Sequence, residues 1–252
     1  MKLTVLTMWY NEGKLAPFFF KHYQDLVDEI VVIVDADTND NTREICKKNG
    51  AIIKEFKFPD GFDDILKRDR LNEELVNIKA DWVLGVDADE FVFAPFSFKI
   101  KPFLKEADKI GAGLVYTSFA NVFKHKTEGK LDIKKPVVWQ RQHGTWDIPE
   151  WGPNNNRKAN VIKPFVKWEV GFHTAYGWKT AYQNCLLGAH WAMADVNWAI
   201  ERRIYGRKFR MSKRNKELNL SWHLSQATKK QIREECKKHE NDLNVLGKYL
   251  PS

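Results

Sequence analysis

Three carboxylates follow a short apolar run in the first half of the sequence. The run, residues 82–86, is typical of a strand that is buried on both faces of a parallel sheet. Asp87, Asp89 and Glu90 come directly after it, and in an extended chain Asp87 and Asp89 point to the same side. Paired carboxylates are suitable oxygen ligands for an Mg²⁺ or Mn²⁺ ion that holds a diphosphate. An acidic turn in solvent is the alternative for an isolated Asp-x-Asp pair.

Strands and helices alternate before this motif and determine where it lies. Apolar runs at residues 3–8, 29–34 and 51–56 predict three earlier strands, and residues 42–48 and 62–79 have helical character. This alternation predicts an α/β fold with a parallel sheet and right-handed crossovers. Because open α/β sheets bind ligands at the carboxyl ends of their strands, we expect the acidic motif at the ligand-binding edge.

The second half of the sequence is less regular. It shows no repeat and no recognisable linker, so we predict one domain over residues 1–252. A long loop is expected at residues 144–157, and long loops in compact domains are often functional. Further strands are predicted at residues 112–118, 137–141 and 160–165, and helices at 102–109, 194–208 and 228–246.

Composition restricts the class of protein. The 252 residues carry a net charge of +8, which fits an anionic substrate, a nucleic acid or an anionic membrane surface equally well. No apolar run approaches the ~20 residues that span a bilayer, and the N-terminus lacks a signal-peptide layout, so we predict a cytoplasmic protein. The three cysteines are widely spaced, which favours reduced thiols over disulfides or a zinc site.

The order of the polar residues resembles that of a known family. It runs from Asn11-Glu12 after the first strand, through Asp35 in Val-Asp-Ala-Asp-Thr-Asn-Asp-Asn-Thr and Arg70, to residues 82–91. This order is similar to the nucleotide-sugar half of family 2-like glycosyltransferases with the GT-A fold, in the branch that carries Asp-x-Asp-Glu-Phe. The resemblance implies a Rossmann-like, mostly parallel central sheet flanked by helices.

The same resemblance implies a role for each part of the chain. Residues 1–95 would bind the donor, and residues 96–252 would form a less regular acceptor half. The strand end that holds Thr7, Asn11 and Glu12 would pack around the nucleoside. The other implied roles are base or ribose binding by Asp35, donor contact by Arg70 with Arg68 as the alternative, ribose and metal contact by Asp87, and metal ligation by Asp89.

A histidine often completes the metal ligands in this fold, because neutral imidazole binds well beside carboxylates. His190 in Gly-Ala-His-Trp is our first candidate, since it precedes the arginine-rich helix at residues 194–208. His173 in Gly-Phe-His is the alternative, and a hydrogen-bonded core histidine is the structural explanation for either residue.

An inverting reaction needs a carboxylate that takes the proton from the acceptor hydroxyl. Asp147 and Glu150 are our first candidates, because they lie in the loop between Trp146 and Trp151 and indole rings suit stacking on sugars. Glu169 and Asp195 are further candidates. The usual family signature for this base is not recognisable in the sequence.

We therefore expect a glycosyltransferase that depends on Mn²⁺ or Mg²⁺ and moves a sugar from a nucleotide-diphosphate donor, UDP by family default. Its acceptor would be a saccharide or glycolipid of surface polysaccharide or lipopolysaccharide synthesis, with at most peripheral membrane contact. A catalytically silent carbohydrate-binding protein is the main alternative. A nucleic-acid-binding protein is the other, but lysines are spread over many segments and no binding motif is present.

Overall fold

The computed structural model describes residues 1–146, 157–221 and 226–251, and a mixed sheet of nine strands runs through this part of the chain. Its strands are ordered β3-β2-β1-β4-β8-β6-β11-β5, with β7 paired to β6, while β9 and β10 form a separate pair. The strands are β1 (Leu3–Trp9), β2 (Glu29–Asp35), β3 (Ile52–Phe56), β4 (Trp82–Gly85), β5 (Glu90–Phe93), β6 (Leu114–Phe123), β7 (Gly144–Trp146), β8 (Arg157–Ile162), β9 (Lys167–Trp168), β10 (Ala175–Tyr176) and β11 (Ala181–Met193).

Helices cover both faces of this sheet. They are α1 (Ala16–Tyr23), α2 (Thr42–Lys48), α3 (Asp64–Glu74), α4 (Ile100–Lys109), α5 (Val196–Ile200), α6 (Lys213–Glu217) and α7 (Lys229–Lys238), and a π-helical segment, Glu201–Lys208, continues α5. Strand β1 sends Val5 and Trp9 into the core layer that contains α1, and Leu6 and Met8 into the layer that contains α3. No helix in the described ranges is long and apolar enough to cross a membrane.

The first half confirms the predicted α/β arrangement. Strands β3, β2, β1 and β4 are all parallel, and β1 is fully buried, as the apolar runs indicate. Beyond β4 the sheet becomes mixed, because β8 pairs antiparallel with β4 and β6, whereas β11 runs parallel to β6. The switch from β1 outward to β2 on one side and β4 on the other leaves a crevice at the carboxyl ends of β1 and β4.

Two predictions for the second half are wrong. Residues 137–141 contain a 3₁₀ turn, Val138–Gln140, in which the Gln140 N–H donates to the Val137 carbonyl at 3.1 Å. The buried Arg141 guanidinium that follows donates to the carbonyls of Gln140 and Ala194 at 2.6 and 2.8 Å. Helix α7 has the predicted cap at Thr228 but ends at Lys238. The following chain instead hydrogen-bonds to the segment before β7, where the Gln142 carbonyl accepts the N–H of Val245 at 3.0 Å.

The acidic motif forms a tight turn between β4 and β5, not an extended strand end. The Asp87 N–H donates to the Glu90 carboxylate at 3.0 Å, and the Glu90 N–H donates to the Asp87 carbonyl at 3.1 Å. The Asp89 carbonyl accepts the N–H of Trp191 at 2.7 Å, which ties the turn to β11. The prediction that Asp87 and Asp89 point to one side is therefore wrong, since the chain reverses between them.

Candidate active site

Two cavities open at this edge of the sheet, one on each side of the acidic turn. We name the first the β1–β4 cavity; its volume is about 560 Å³, and Asp87 lines it. We name the second the β11–α7 cavity; its volume is about 630 Å³, and Asp89 and His190 line it. Arg202, from the π-helical segment, lines both cavities. The two aspartates of the motif thus serve different cavities, separated by one arginine.

The loops after β1 and β2 form the rim of the β1–β4 cavity. Asn11, whose φ is 50°, exchanges two hydrogen bonds of 2.9 Å with Asn39. The Glu12 N–H donates to the Thr42 hydroxyl at 2.8 Å. A Cβ on Gly13 would lie 2.0 Å from the Asn41 side chain, which would have to move to make room for it. Hydrogen bonds between the two loops therefore hold the rim together.

A stacked pair covers the outer side of this cavity. The Arg210 guanidinium carbon lies 3.4 Å from the centre of the Tyr10 ring, and both residues line the cavity. The Asp35 carboxylate, which is 1% exposed, accepts from the Arg210 Nη2 at 2.5 Å. Asp35 does not line the cavity, but it pairs with the arginine that does, and its expected contact with base or ribose stays a prediction.

Helix α3 supplies a cation to the cavity, but not the arginine expected from the sequence. Lys67 Nζ lies 2.5 Å from the Asp87 carboxylate, and both line the cavity. Arg70 pairs with Glu74 within the helix at 2.7 Å, and Arg68 pairs with Asp69 and Glu169. Of these three cationic residues of α3, Lys67 is the one that lines the β1–β4 cavity, and the expected donor contact of Arg70 or Arg68 stays a prediction.

Each carboxylate of the acidic turn has a cationic partner from a different element. Asp87 pairs with Lys67, Glu90 with Lys158 of β8, and Asp89 with Arg202. The Arg202 guanidinium also reaches the Glu12 carboxylate at 3.0 Å, which joins the turn to the loop after β1.

These ion pairs favour the ionised forms of Asp87 and Asp89 and lower the pKa of each carboxyl. Burial raises the pKa of the Asp89 carboxyl, but Arg202 and His190 outweigh that effect and hold its pKa well below the ordinary value. Burial likewise opposes ionisation of Asp87, and Lys67 and Lys158 bring its pKa below the ordinary value. The partners respond in the opposite sense: burial lowers the pKa of Arg202, and Asp89 and Glu12 raise it further than burial lowers it.

The structure brings together two residues whose side chains are suitable ligands for a divalent metal ion, Asp89 and His190. His190 Nδ1 lies 2.8 Å from the Asn121 side-chain oxygen and donates to it, which directs Nε2 toward the Asp89 Oδ2 at 3.5 Å. Asp89 Oδ1 is buried and has no hydrogen-bond partner among the described residues. Those residues contain no group of three or more His, Cys, Asp or Glu arranged to hold a metal. Two protein ligands plus phosphate oxygens are a common arrangement for Mg²⁺.

The remaining predicted residues lie elsewhere. Thr7 is fully buried inside the sheet on the face of Val5 and Trp9, away from the Met8 side that lines the β1–β4 cavity. His173 is exposed and follows the 3₁₀ turn Val170–Phe172. Glu169 pairs with Arg68, and Asp195 caps α5. Asp147 and Glu150 lie outside the described residues.

Four residues of this site were not predicted from the sequence: Tyr10, Lys67, Lys158 and Arg210. Tyr10 is adjacent to the predicted Asn11, and Lys67 shares a helix with the predicted Arg70. The sequence pattern that indicates Asn11 and Arg70 could therefore also have indicated Tyr10 and Lys67. Lys158 and Arg210 belong to segments whose position relative to the first half depends on the sheet order, and nothing in their local sequence indicates it.

Comparisons with known proteins give distant structural likenesses. No protein-family model matches the sequence, and no curated protein matches it. The chain is similar to S. aureus TarS (TM-score 0.44, 14% identity, 85% of this chain and 45% of that chain) and to S. aureus TarS in complex with UDP-GlcNAc (0.36, 20%, 52% and 37%). It is also similar to glucosyl-3-phosphoglycerate synthase from Mycobacterium tuberculosis in complex with phosphoglyceric acid (0.34, 19%, 48% and 44%). The chain thus spans less than half the length of each of these proteins.

Proposed function

We propose that this chain is a glycosyltransferase that binds a nucleotide-diphosphate sugar in the β1–β4 cavity. One observation supports this most directly: the cavity lies where the strand order reverses, between the carboxyl ends of β1 and β4. Open α/β sheets bind nucleotides at this point. The sequence resemblance to family 2-like glycosyltransferases then supports a sugar nucleotide as the ligand, with UDP as the default.

The lining of the cavity suggests how the donor is oriented. Tyr10, backed by Arg210, offers an aromatic face and a cation for the base and ribose at the outer side. Lys67 and Arg202 lie at the inner side, next to the acidic turn, where they can receive the diphosphate. Cations fixed beside a departing diphosphate stabilise the charge that grows on it, and they act most strongly where water is excluded.

The β11–α7 cavity is our proposed acceptor site. Its polar groups include Asn121, His190, Gln231 and Glu235, which suit the hydroxyls of a saccharide or glycolipid. An inverting transfer requires a base on this side of the anomeric carbon. Asp147 and Glu150 stay our candidates for that base, and Glu235 is the carboxylate that the described residues bring into this cavity besides Asp89.

A divalent metal stays part of the proposal. Asp89 and His190 would hold it from the protein side, and the ion would supply positive charge to the leaving diphosphate. Asp87, which pairs with Lys67 in the other cavity, would contact the donor and not the metal.

A donor screen with two matched variants tests the proposal. Thermal shift with UDP-, GDP-, CMP- and dTDP-sugars, each with and without Mn²⁺, identifies a ligand, and calorimetry then gives its affinity. Lys67→Met removes the α3 cation that lines the cavity, so we expect a ten- to hundredfold weaker donor affinity, since a hydrogen bond to a charged group contributes about 1.5–3 kcal/mol. Arg70→Met removes the same charge from the same helix outside the cavity and should change the affinity less than twofold.

Sugar transfer itself is then measured with the identified donor and a panel of saccharides and glycolipids. Equal donor affinity in Lys67→Met and wild type contradicts the assigned cavity. Binding of saccharides without turnover of any nucleotide sugar favours the silent carbohydrate-binding alternative.

A further inference from the structure

Arg202 stands where a metal ion would contact Asp89. Its guanidinium touches the Asp89 Oδ2, the same oxygen that faces His190 Nε2 at 3.5 Å. The second carboxylate oxygen, Oδ1, is buried, and Asp89 as a whole is 1% exposed. A free divalent ion approaching from the β11–α7 cavity therefore meets an arginine at the oxygen that points to His190.

The local charge also disfavours a free metal ion. Asp87, Asp89 and Glu90 are each paired with one cation, and Arg202, the partner of Asp89, is shared with Glu12. A metal ion would add two positive charges next to Lys158 and Arg202, both largely buried, where screening by solvent is weak. The sequence of the motif predicts that it binds a cation. In the folded chain, lysine and arginine side chains already occupy that role.

A bound diphosphate would change both the access of a metal ion to Asp89 and the local charge. Its negative charge balances that of an incoming metal, and it offers phosphate oxygens that complete the metal's ligands beside Asp89 and His190. A planar guanidinium binds phosphate as well as carboxylate through paired hydrogen bonds. Arg202 lines the β1–β4 cavity as well as the β11–α7 cavity, so it can exchange Asp89 for the diphosphate without leaving the site.

We propose that Arg202 excludes free divalent metal ions from Asp89, and that a metal binds there only together with a nucleoside diphosphate, which draws the guanidinium away. This inference rests on the proposed function, because it assumes that the β1–β4 cavity receives the diphosphate. In this proposal Arg202 is a positioning residue, and its main effect is on the affinity of the site for a metal ion.

Electron paramagnetic resonance of free Mn²⁺ tests the inference without any turnover. Wild type should bind Mn²⁺ at least tenfold more weakly without UDP than with it, after correction for Mn²⁺ held by UDP alone. Arg202→Met should bind Mn²⁺ at least tenfold more tightly than wild type when UDP is absent. Arg202→Lys, which keeps the charge, should stay as weak as wild type.

Lys213→Met is the matched control for loss of one positive charge. Lys213 is 82% exposed and pairs at 3.7 Å with Glu217 within α6, so its removal should leave Mn²⁺ affinity unchanged. Unchanged Mn²⁺ affinity in a folded Arg202→Met protein overturns the inference. So does wild type that binds Mn²⁺ equally well with and without UDP, and this comparison decides the matter if Arg202→Met does not fold.

The outcomes also separate this inference from the proposed function. If wild type binds none of UDP, GDP, CDP or dTDP in calorimetry with or without Mn²⁺, the proposed function fails. The comparison of Arg202→Met with wild type for Mn²⁺ alone still tests whether the arginine guards Asp89.

Discussion

The two cavities share Arg202 but are built in different ways. Loops after the parallel strands β1, β2 and β4 provide most of the lining of the β1–β4 cavity, and residues between Trp198 and Arg210 complete it. The β11–α7 cavity collects residues from the acidic turn, β6, β11, the π-helical segment and α7. The first cavity depends on a repeated βα pattern, whereas the second depends on how distant elements pack. The ion pair between Arg202 and Asp89 lies where the two cavities meet.

Loss of the Arg202–Asp89 ion pair should have the largest effect, and that effect is on the free energy of unfolding. Asp89→Ala leaves the buried Arg202 with Glu12 as its acidic partner, and breaking a buried ion pair destabilises a protein by about 3–5 kcal/mol. Urea denaturation followed by circular dichroism measures this change. A loss below about 1 kcal/mol would mean that Glu12 satisfies Arg202 alone, and that the two cavities are less dependent on each other than their shared residue indicates.

A pair of variants then separates the cavities by ligand. Arg210→Met removes the cation that stacks on Tyr10, so nucleotide affinity should fall about tenfold or more, the effect of losing a charged hydrogen-bonding group. Glu235→Gln alters the other cavity and should change nucleotide affinity less than twofold while it lowers the rate of transfer. Calorimetry at a temperature below the unfolding transition measures both affinities. Weaker nucleotide binding in Glu235→Gln would show that the two sites are coupled.

The smallest expected effect concerns the helix that closes the second cavity. Thr228 and Gln231 form a capping box at the start of α7, and loss of an N-cap hydroxyl costs about 1 kcal/mol. Thr228→Ala should therefore speed amide hydrogen exchange in the first turn of α7. Nucleotide affinity should not change, because α7 does not line the β1–β4 cavity. A change in nucleotide affinity would indicate that α7 supports both sites.

The sequence predicted the first cavity better than the second for a physical reason. Apolar runs and turn residues indicate local structure. In parallel βα units the carboxyl ends of successive strands lie at one edge of the sheet, so the prediction that the ends of β1 and β4 lie together is confirmed. The same reasoning failed at Asp87 and Asp89, since alternation applies to an extended strand and the chain turns there. Sequence spacing also does not say which positions of a helix face the sheet edge, so Lys67 was not predicted to line this cavity. The expected donor contact of Arg70 stays a prediction.

The second half offered no comparable regularity. Strand β8 inserts between β4 and β6, and only this insertion brings Lys158 to Glu90. His190 was placed beside Asp89 from the resemblance alone, and the structure brings the two within 3.5 Å, but its role as a metal ligand stays a prediction. The loop that holds Asp147 and Glu150 lies outside the described residues, so those two candidates also stay predictions.

The π-helical segment after α5 has a consequence for insertions and deletions. A π-helix accommodates more residues per turn than an α-helix, so Glu201–Lys208 behaves as a segment that has absorbed extra chain length. Deleting one residue upstream of Arg202, within α5, would rotate everything that follows by about 100° about the helix axis. The Arg202 guanidinium would then no longer face both Asp89 and Glu12. The number of residues that precede Arg202 in this helix is therefore as strict a requirement for its ion pairs as the arginine side chain itself.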